Sequence, residues 1–139
     1  IGLTAYHSKK YMLRAVYEGI VFSHATHVER LLRNREKPQT IQLAGGAANS
    51  RVWVQIFADV LQIPIETVEN KELGAQGAAM AAGIAAGIYS NYDEAIARTV
   101  HITERVEPRK EYAKIYRDKY NKFKCVVEAL EPVWGKLDN

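Results

Sequence analysis

The stretch Ile41-Gln-Leu-Ala-Gly45-Gly46-Ala-Ala-Asn-Ser50 decides the fold class. A short apolar run meets two glycines, and residues that favour the start of a helix follow. Glycine lets the chain turn sharply after a strand and approach a ligand closely, while N–H groups at a helix start point at whatever lies there. The stretch therefore predicts a strand, a tight turn and a helix that form an anion site of phosphate size.

The glycine pair alone leaves two interpretations open. A Gly-Gly turn also ends strands in α/β proteins for purely architectural reasons. Gly45 and Gly46 lack the third glycine of the dinucleotide fingerprint G-x-G-x-x-G, and no Lys-Ser or Lys-Thr pair follows to make a P-loop. The turn therefore predicts either a phosphate site outside these two standard folds or an architectural corner.

Apolar periodicity predicts helices on both sides of this turn. Met12, Val16 and Ile20 recur at four-residue spacing, which indicates a long amphipathic helix over 9–34. A second helix begins after an N-cap at Asn49 or Ser50 and stops near Pro64. An alternating strand over 65–69 and an alanine- and glycine-rich helix over 74–87 follow. This order, helix-strand-helix-strand-helix, indicates an α/β fold with crossover connections and a mostly parallel sheet.

Residues 90–139 predict a C-terminal helical segment that follows a core over 1–89. A short helix is expected over 92–99, and a final helix carries an apolar face of Tyr112, Tyr116, Tyr120, Phe123, Val127 and Leu130, which we expect to serve packing. Two strands are too few for this much helix, so the missing strands should lie upstream of Ile1 or come from another copy of the chain. We therefore expect residues 1–139 to be a single partial domain, and possible self-association through its uncovered sheet.

Composition and charge argue against several classes of protein. The formal net charge is +3, and basic residues alternate with acidic ones over 104–124, which is typical of a solvated helix face and predicts no nucleic-acid partner. The stretch 73–89 is rich in Ala and Gly and contains Gln76, so we expect a buried helix and no membrane partner. Cys125, the single cysteine, excludes an internal disulfide, and we expect a buried, inert thiol and a cytoplasmic protein.

Two histidines on the first predicted helix are candidate metal ligands. His24 and His27 stand three residues apart, but no nearby cysteine or carboxylate completes a recognisable ligand set. We therefore expect surface or packing histidines and no metal site. No serine lies in a G-x-S-x-G motif, so a hydrolase has no predicted nucleophile.

Three motifs resemble the C-terminal domain of the FGGY carbohydrate kinases, in the order and spacing of that family. They are Arg14-Ala-Val-Tyr-Glu18-Gly19-Ile20, Ala44-Gly45-Gly46-Ala-Ala-Asn-Ser50-Arg-Val-Trp53-Val-Gln-Ile-Phe-Ala58-Asp59-Val-Leu61, and Glu72-Leu-Gly74-Ala-Gln-Gly77-Ala-Ala-Met-Ala-Ala-Gly83. Kinases that act on xylulose and related ketopentoses look most similar. The resemblance covers about residues 2–87 and is looser beyond.

The resemblance implies an actin-like, ribonuclease-H-type ATPase fold in two domains. ATP and Mg²⁺ would bind in the cleft, and an N-terminal domain outside this chain would hold most of the sugar. This chain would be the later part of the second domain and would carry the nucleotide half-site. Backbone N–H groups of Gly45, Gly46 and Ala47 would meet the phosphates of ATP or ADP. Ser50 would lie near the adenine, with Asn49 and Trp53 as neighbours.

The reaction implied by the resemblance is transfer of the ATP γ-phosphoryl group to a sugar hydroxyl, with a carboxylate that accepts the hydroxyl proton. The family's catalytic aspartate falls outside this chain. Asp59 does not match it and is expected on the exposed side of its helix, so no catalytic residue is named. The alternative is a stand-alone α/β interaction domain whose glycine turn is only architectural.

Overall fold

The computed structural model describes residues 2–69 and 72–136. Within these ranges the chain forms five α-helices and three strands. In chain order they are α1 (Lys9–Leu31), β1 (Ile41–Leu43), α2 (Arg51–Leu61), β2 (Ile65–Val68), α3 (Leu73–Ala85), α4 (Tyr92–Thr99), β3 (Ile102–Val106) and α5 (Ala113–Trp134). Short 3₁₀ turns lie at Leu32–Asn34, Gly46–Asn49 and Lys110–Tyr112. The predicted helices over 9–34, after Ser50, over 74–87 and over 92–99 are confirmed within a few residues.

The three strands form one sheet in the order β1-β2-β3. β1 and β2 are parallel, with Ile41 opposite Ile65, and α2 makes the crossover between them as predicted. β3 pairs antiparallel with β2 and places Val106 opposite Ile65. The sheet is therefore mixed, not mostly parallel, and the segment 90–139 supplies a strand as well as helices. β3 was missed because it is five residues long and only Val106 in it is buried.

Helix α2 lies at the centre of the core. Its residues Val54, Ile56, Phe57 and Ala58 are buried, and they pack with Val21 of α1, Ile65 of β2 and Val106 of β3. Burial of such side chains is the main favourable term in folding, at roughly 25 cal/mol per Å² of apolar surface. Because α1, the sheet and α5 all contact α2, the core fixes the position of the turn that precedes it.

Helix α1 has the predicted bounds but buries a different face. Its buried residues are Glu18, Val21, Phe22 and Ala25, which lie one helical turn apart along the side that meets α2 and α5. The predicted apolar stripe of Met12, Val16 and Ile20 is exposed. No residue in the described ranges covers this stripe, although its spacing is that of a buried helix face.

The expectation that Asp59 lies on the exposed side of α2 is wrong. Asp59 is completely buried. Its Oδ2 accepts a hydrogen bond from Nη2 of Arg109 at 2.6 Å, and its Oδ1 accepts from the backbone N–H of Arg109 at 2.9 Å and from the Gln55 amide at 3.0 Å. The hydrogen bonds that Arg109 donates to Asp59 hold the pKa of Arg109 above its ordinary value. This carboxylate fastens the connection between β3 and α5 onto α2.

Tyr116 and Tyr120 of the predicted tyrosine face serve packing, as predicted, whereas Tyr112 and Val127 of that face are exposed. Tyr116 is buried, and burial raises the pKa of its hydroxyl. That hydroxyl contacts Arg14 and Glu18 of α1, and Lys119 donates to Glu18 Oε2 at 2.8 Å. Tyr120 follows one turn later. Its hydroxyl donates to Glu29 at 2.9 Å, and its ring lies beside Phe22. A partly buried ionic network, in which Glu18 is the buried carboxylate, therefore joins the first and last helices.

Two further burial predictions are wrong. Cys125 is exposed, because it stands two residues after Phe123 and about 200° around the helix from that packing side chain. Helix α3 is largely exposed, with only Met80 and Gly83 buried, because within the described residues it packs mainly against the short helix α4. None of the helices in 2–69 and 72–136 is both long enough and apolar enough to cross a bilayer.

Candidate functional site

The predicted glycine turn follows β1 directly. Gly45 has φ 78° and ψ −160°, a conformation that is essentially restricted to glycine. The chain then enters one 3₁₀ turn, Gly46–Asn49, in which the Ala48 N–H donates to the Gly45 carbonyl at 3.1 Å. Gly45 thus supplies the reversal that carries the backbone from the end of β1 to the start of α2.

Gly46 meets a different requirement from Gly45. A Cβ atom built at either glycine would meet no described residue within 4 Å, its two chain neighbours aside, so crowding by those residues does not require glycine at either position. Gly45 needs glycine for its positive φ, whereas Gly46 does not. What glycine provides at Gly46 is an exposed backbone that a ligand can approach from outside.

Ser50 begins helix α2, as predicted. Its hydroxyl accepts a hydrogen bond from the Trp53 N–H at 3.4 Å, and its carbonyl accepts from the Val54 N–H at 2.9 Å. A serine cap satisfies one of the N–H groups that every helix leaves free in its first turn. The positive end of the α2 dipole therefore faces the glycine turn and favours an anion there.

Trp53 lies behind the turn and not on its open side. Its indole stacks on Tyr17 of α1, with 4.8 Å between ring centroids and 22° between planes, and it packs against the core. Among the described residues, the buried Nε1 of Trp53 has no hydrogen-bond partner. Ala47 also packs against the core. These two side chains support the turn from within the protein.

A hollow of about 200 Å³ opens beside the turn, at the carboxyl ends of β1 and β2. One wall comes from Ala44, Gly45, Ala48 and Asn49, and the other from Thr67, Val68, Glu69 and Thr103. Of the predicted site residues, the structure brings Gly45 and Asn49 into this hollow. Gly46, Ala47, Ser50 and Trp53 lie next to it in the chain but do not line it.

Sequence reasoning missed the second wall of the hollow. Carboxyl ends of parallel strands meet at the same edge of a sheet, which is the usual place for ligands in α/β folds. Glu69 is the last residue of the predicted second strand, so that rule was enough to find it. Thr103 belongs to β3, which the sequence analysis did not predict, and its hydroxyl lies 3.0 Å from that of Thr67.

Among the described residues, few charged side chains lie near the glycine turn and the hollow. Arg51, the first residue of α2, pairs with Glu104 of β3 at 3.1 Å, and the Arg51 side chain is 86% exposed. Glu69 adds a carboxylate to the hollow. His24 and His27 lie on α1, where the His24 ring packs beside Phe57, and the described part of the chain contains no cluster of three or more metal-ligating side chains.

Comparison with known proteins identifies a family and individual kinases that are similar in sequence to this chain. A family model of the FGGY family of carbohydrate kinases, C-terminal domain, matches residues 1–86. An L-xylulose/3-keto-L-gulonate kinase of Escherichia coli (strain K12) is 36% identical over 136 residues, which are 98% of this chain and 27% of that protein. A gluconokinase of Bacillus licheniformis is 32% identical over 139 residues, which are 99% of this chain and 27% of that protein.

A solved structure is similar over nearly the whole chain. The crystal structure of a ligand-bound xylulose kinase from Lactobacillus acidophilus superposes with a TM-score of 0.91 at 28% identity, covering 99% of this chain and 28% of that one. The fold is therefore the actin-like, ribonuclease-H-type ATPase fold that the resemblance implied. The chain spans about a quarter of the length of these relatives.

The matched residues 1–86 include the glycine turn, the capped helix α2 and the strand β2. The chain belongs to the FGGY family of carbohydrate kinases, in the region of that family's C-terminal domain.

Proposed function

We propose that this chain is the later part of the C-terminal domain of an ATP-dependent sugar kinase and carries its nucleotide half-site. In this proposal residues 1–89 form the core of the part, and residues 90–139 complete it with β3 and α5. The observation that carries the proposal is the glycine turn, which leaves Gly46 open to solvent in front of the N-terminus of α2. Family membership supplies the class of reaction.

The predicted residues divide into three roles in this proposal. Gly45 sets the direction of the backbone, and the N–H groups of Gly46 and Ala47 meet the nucleotide phosphates. Asn49 and Ser50 lie at the polar end of the turn, toward the nucleoside. Trp53 holds the start of α2 against Tyr17 and so positions the turn.

The reaction proposed for the whole protein is in-line transfer of the ATP γ-phosphoryl group to a sugar hydroxyl, which leaves ADP. Mg²⁺ enters as part of the Mg·ATP substrate and spreads charge on the phosphates. A ketopentose such as xylulose is the proposed acceptor, since relatives with 28–36% identity are named as kinases of xylulose or L-xylulose. We assign the sugar contacts and the catalytic base to parts of the protein outside this chain.

The proposed setting is the cytoplasm, where ATP and phosphorylated sugars are present, without a nucleic-acid or membrane partner. We also propose that the isolated chain self-associates. The exposed stripe of Met12, Val16 and Ile20 on α1 presents apolar surface that folded proteins usually cover. Sedimentation velocity over a range of protein concentrations tests this, because a constant monomer sedimentation coefficient contradicts self-association.

The alternative, a stand-alone interaction domain with an architectural turn, explains Gly45 but not Gly46. A corner that only reverses the chain requires glycine at the positive φ of Gly45. It places no such demand on Gly46, which has ordinary backbone geometry and free space around it. A ligand that approaches the backbone explains why residue 46 is glycine.

An amide NMR titration of this chain with Mg·ADP tests the proposed half-site. We expect shifts in residues 45–53 and at Glu69, and we expect them to disappear in Gly46→Val, whose side chain occupies the approach at a position where a Cβ has free space among the described residues. Gly19→Val is the matched control, because Gly19 also has free space but lies on α1. Equal shifts in Gly46→Val, or no shifts at millimolar Mg·ADP, contradict the half-site.

A further inference from the structure

We infer that Glu69 is the ribose-binding residue of this site, its carboxylate accepting hydrogen bonds from the 2′- and 3′-hydroxyls of the nucleotide. The inference rests on the proposed function and assigns a part of the ligand to the hollow beside the glycine turn. It also gives the bound nucleotide a direction, with phosphates at Gly46 and the nucleoside toward β2.

The geometry of the sheet places Glu69 close to the turn. Gly45 follows β1 after one residue, Glu69 directly follows β2, and the two strands are parallel neighbours. Both residues line the same hollow of about 200 Å³. Pockets that enclose a whole small-molecule ligand are usually larger, roughly 300–1,000 Å³. The hollow is therefore suited to one part of a nucleotide, such as its sugar, and it borders the glycine turn.

Glu69 has a fixed backbone, and its carboxylate has no partner among the described residues. Its backbone N–H donates to the His101 carbonyl at 3.1 Å, which ties the end of β2 to the residue before β3. Its side chain is exposed and makes neither an ion pair nor a side-chain hydrogen bond with any described residue. Glu69 is also the single titratable side chain among the described residues that line the hollow.

The other polar groups in the hollow are largely committed to one another. The hydroxyls of Thr67 and Thr103 lie 3.0 Å apart, and the Thr103 hydroxyl also lies 3.2 Å from the Thr67 carbonyl. Ala44, Ala48 and Val68 contribute apolar wall. Glu69 and Asn49 are therefore the side chains that remain to recognise polar groups of a ligand.

The chemistry of a carboxylate decides which part of the nucleotide it meets. An ionised carboxylate only accepts hydrogen bonds and repels phosphate, so its neighbour on the ligand must be a donor. A ribose presents two adjacent O–H donors, which match the two oxygens of one carboxylate. The exocyclic amine of adenine presents a single nitrogen. In dinucleotide-binding folds an acidic residue at the end of the second strand binds ribose in this way.

The test measures binding of Mg·ADP, Mg·2′-deoxy-ADP, Mg·3′-deoxy-ADP and Mg·IDP to the wild-type chain and to Glu69→Gln. We expect each deoxy nucleotide to bind the wild type about tenfold more weakly than ADP, and IDP to bind like ADP. Glu69→Gln is expected to weaken ADP binding by a similar factor. The variant is expected to bind ADP and both deoxy nucleotides with equal affinity. Glu36→Gln, which removes the same charge from an exposed connection, is the control.

The outcomes separate this inference from the proposed function. If Gly46→Val abolishes ADP binding but Glu69→Gln strengthens it, Glu69 faces phosphate and the ribose assignment is wrong while the half-site stands. Equal binding of ADP and both deoxy nucleotides, or a loss confined to IDP, also overturns the assignment alone. Failure of every nucleotide to bind at millimolar concentration overturns the half-site and the ribose assignment together.

Discussion

Asp59 and Arg109 form a salt bridge of 2.6 Å between residues fifty positions apart in the chain. The two partners differ in their contact with water, since the Asp59 side chain is fully buried and the Arg109 side chain is 43% exposed. If Asp59 is neutralised, water can solvate the guanidinium. If Arg109 is removed, a charged carboxylate remains in the core. Removing Arg109 and neutralising Asp59 should therefore lower the free energy of unfolding by different amounts.

We predict that Arg109→Ala destabilises the chain more than Asp59→Asn does. Loss of Arg109 leaves the buried Asp59 carboxylate without its ionic partner and lowers the free energy of unfolding by about 3 kcal/mol or more. Asp59→Asn keeps the shape and some hydrogen bonds, and costs about 1–2 kcal/mol. Urea denaturation measures both, and the double variant should cost less than the sum of the single ones. Equal costs, or additive ones, would falsify this account.

The glycine turn predicts unequal effects of two neighbouring alanine substitutions. Gly45→Ala forces a side chain into a conformation at φ 78° and is expected to cost about 1–3 kcal/mol in unfolding free energy. Gly46→Ala has free space and no positive φ, so it should change stability by less than about 0.5 kcal/mol. Thermal or urea unfolding of the two variants decides the point, and a reversed order contradicts the observed turn geometry.

Helix α3 provides a second matched pair. A Cβ at Gly83 would lie 2.7 Å from ring atoms of Tyr89, whereas one at Gly77 would meet nothing within 4 Å. Gly83→Ala is expected to destabilise the chain by about 1–3 kcal/mol, because the Tyr89 ring must move. Gly77→Ala should stabilise it by about 0.5–1 kcal/mol through helix propensity. Circular dichroism melts of both variants test this, and a stabilising Gly83→Ala would disprove the close packing of Tyr89.

The start of α4 is expected to respond to pH through Glu94. The hydroxyl and the N–H of Ser90 donate to Glu94 Oε2 at 2.6 and 2.7 Å and, in that order of effect, hold the pKa of Glu94 below its ordinary value. A lowered folded-state pKa stabilises the fold above the unfolded pKa of about 4.3, and this contribution is lost as the pH falls through the folded value. NMR titration should show Glu94 with a midpoint below the unfolded value.

Ser90→Ala is the control for this pH dependence. It removes the hydroxyl donor and should move the Glu94 midpoint upward. The Asn91 cap, whose side chain accepts from the Glu94 N–H at 2.9 Å, remains in this variant. An unchanged Glu94 midpoint would show that the Ser90 hydroxyl does not set the pKa.

Local signals were enough to predict most of the helices and the glycine turn. Ser50 is a strong N-cap, and the apolar residues that follow it recur with a helical period, so the start of α2 could be placed within one residue. The sharp turn at the glycine pair was likewise predicted from glycines between a strand and a helix. These features depend on residues only a few positions apart.

Features that depend on distant residues were missed or misplaced. Asp59 is buried because Arg109 reaches it from another element, and no pattern within α2 reveals that partner. β3 pairs with β2 across about forty residues, and its exposed, partly charged sequence resembles a loop. Burial of the apolar stripe on α1 was inferred from spacing, although spacing cannot say whether a partner element is present.

The position of α3 and α4 between β2 and β3 has a consequence for motion. The two helices pack mainly on each other, with a side-chain bond from Gln76 of α3 to the Thr99 carbonyl at 2.6 Å, and few of their residues enter the core. Regions with few buried apolar contacts open at lower free energy than the rest of a protein. Amide hydrogens of these two helices should therefore exchange with solvent sooner than those of α2 and β2, as one sub-global opening unit that leaves the sheet paired.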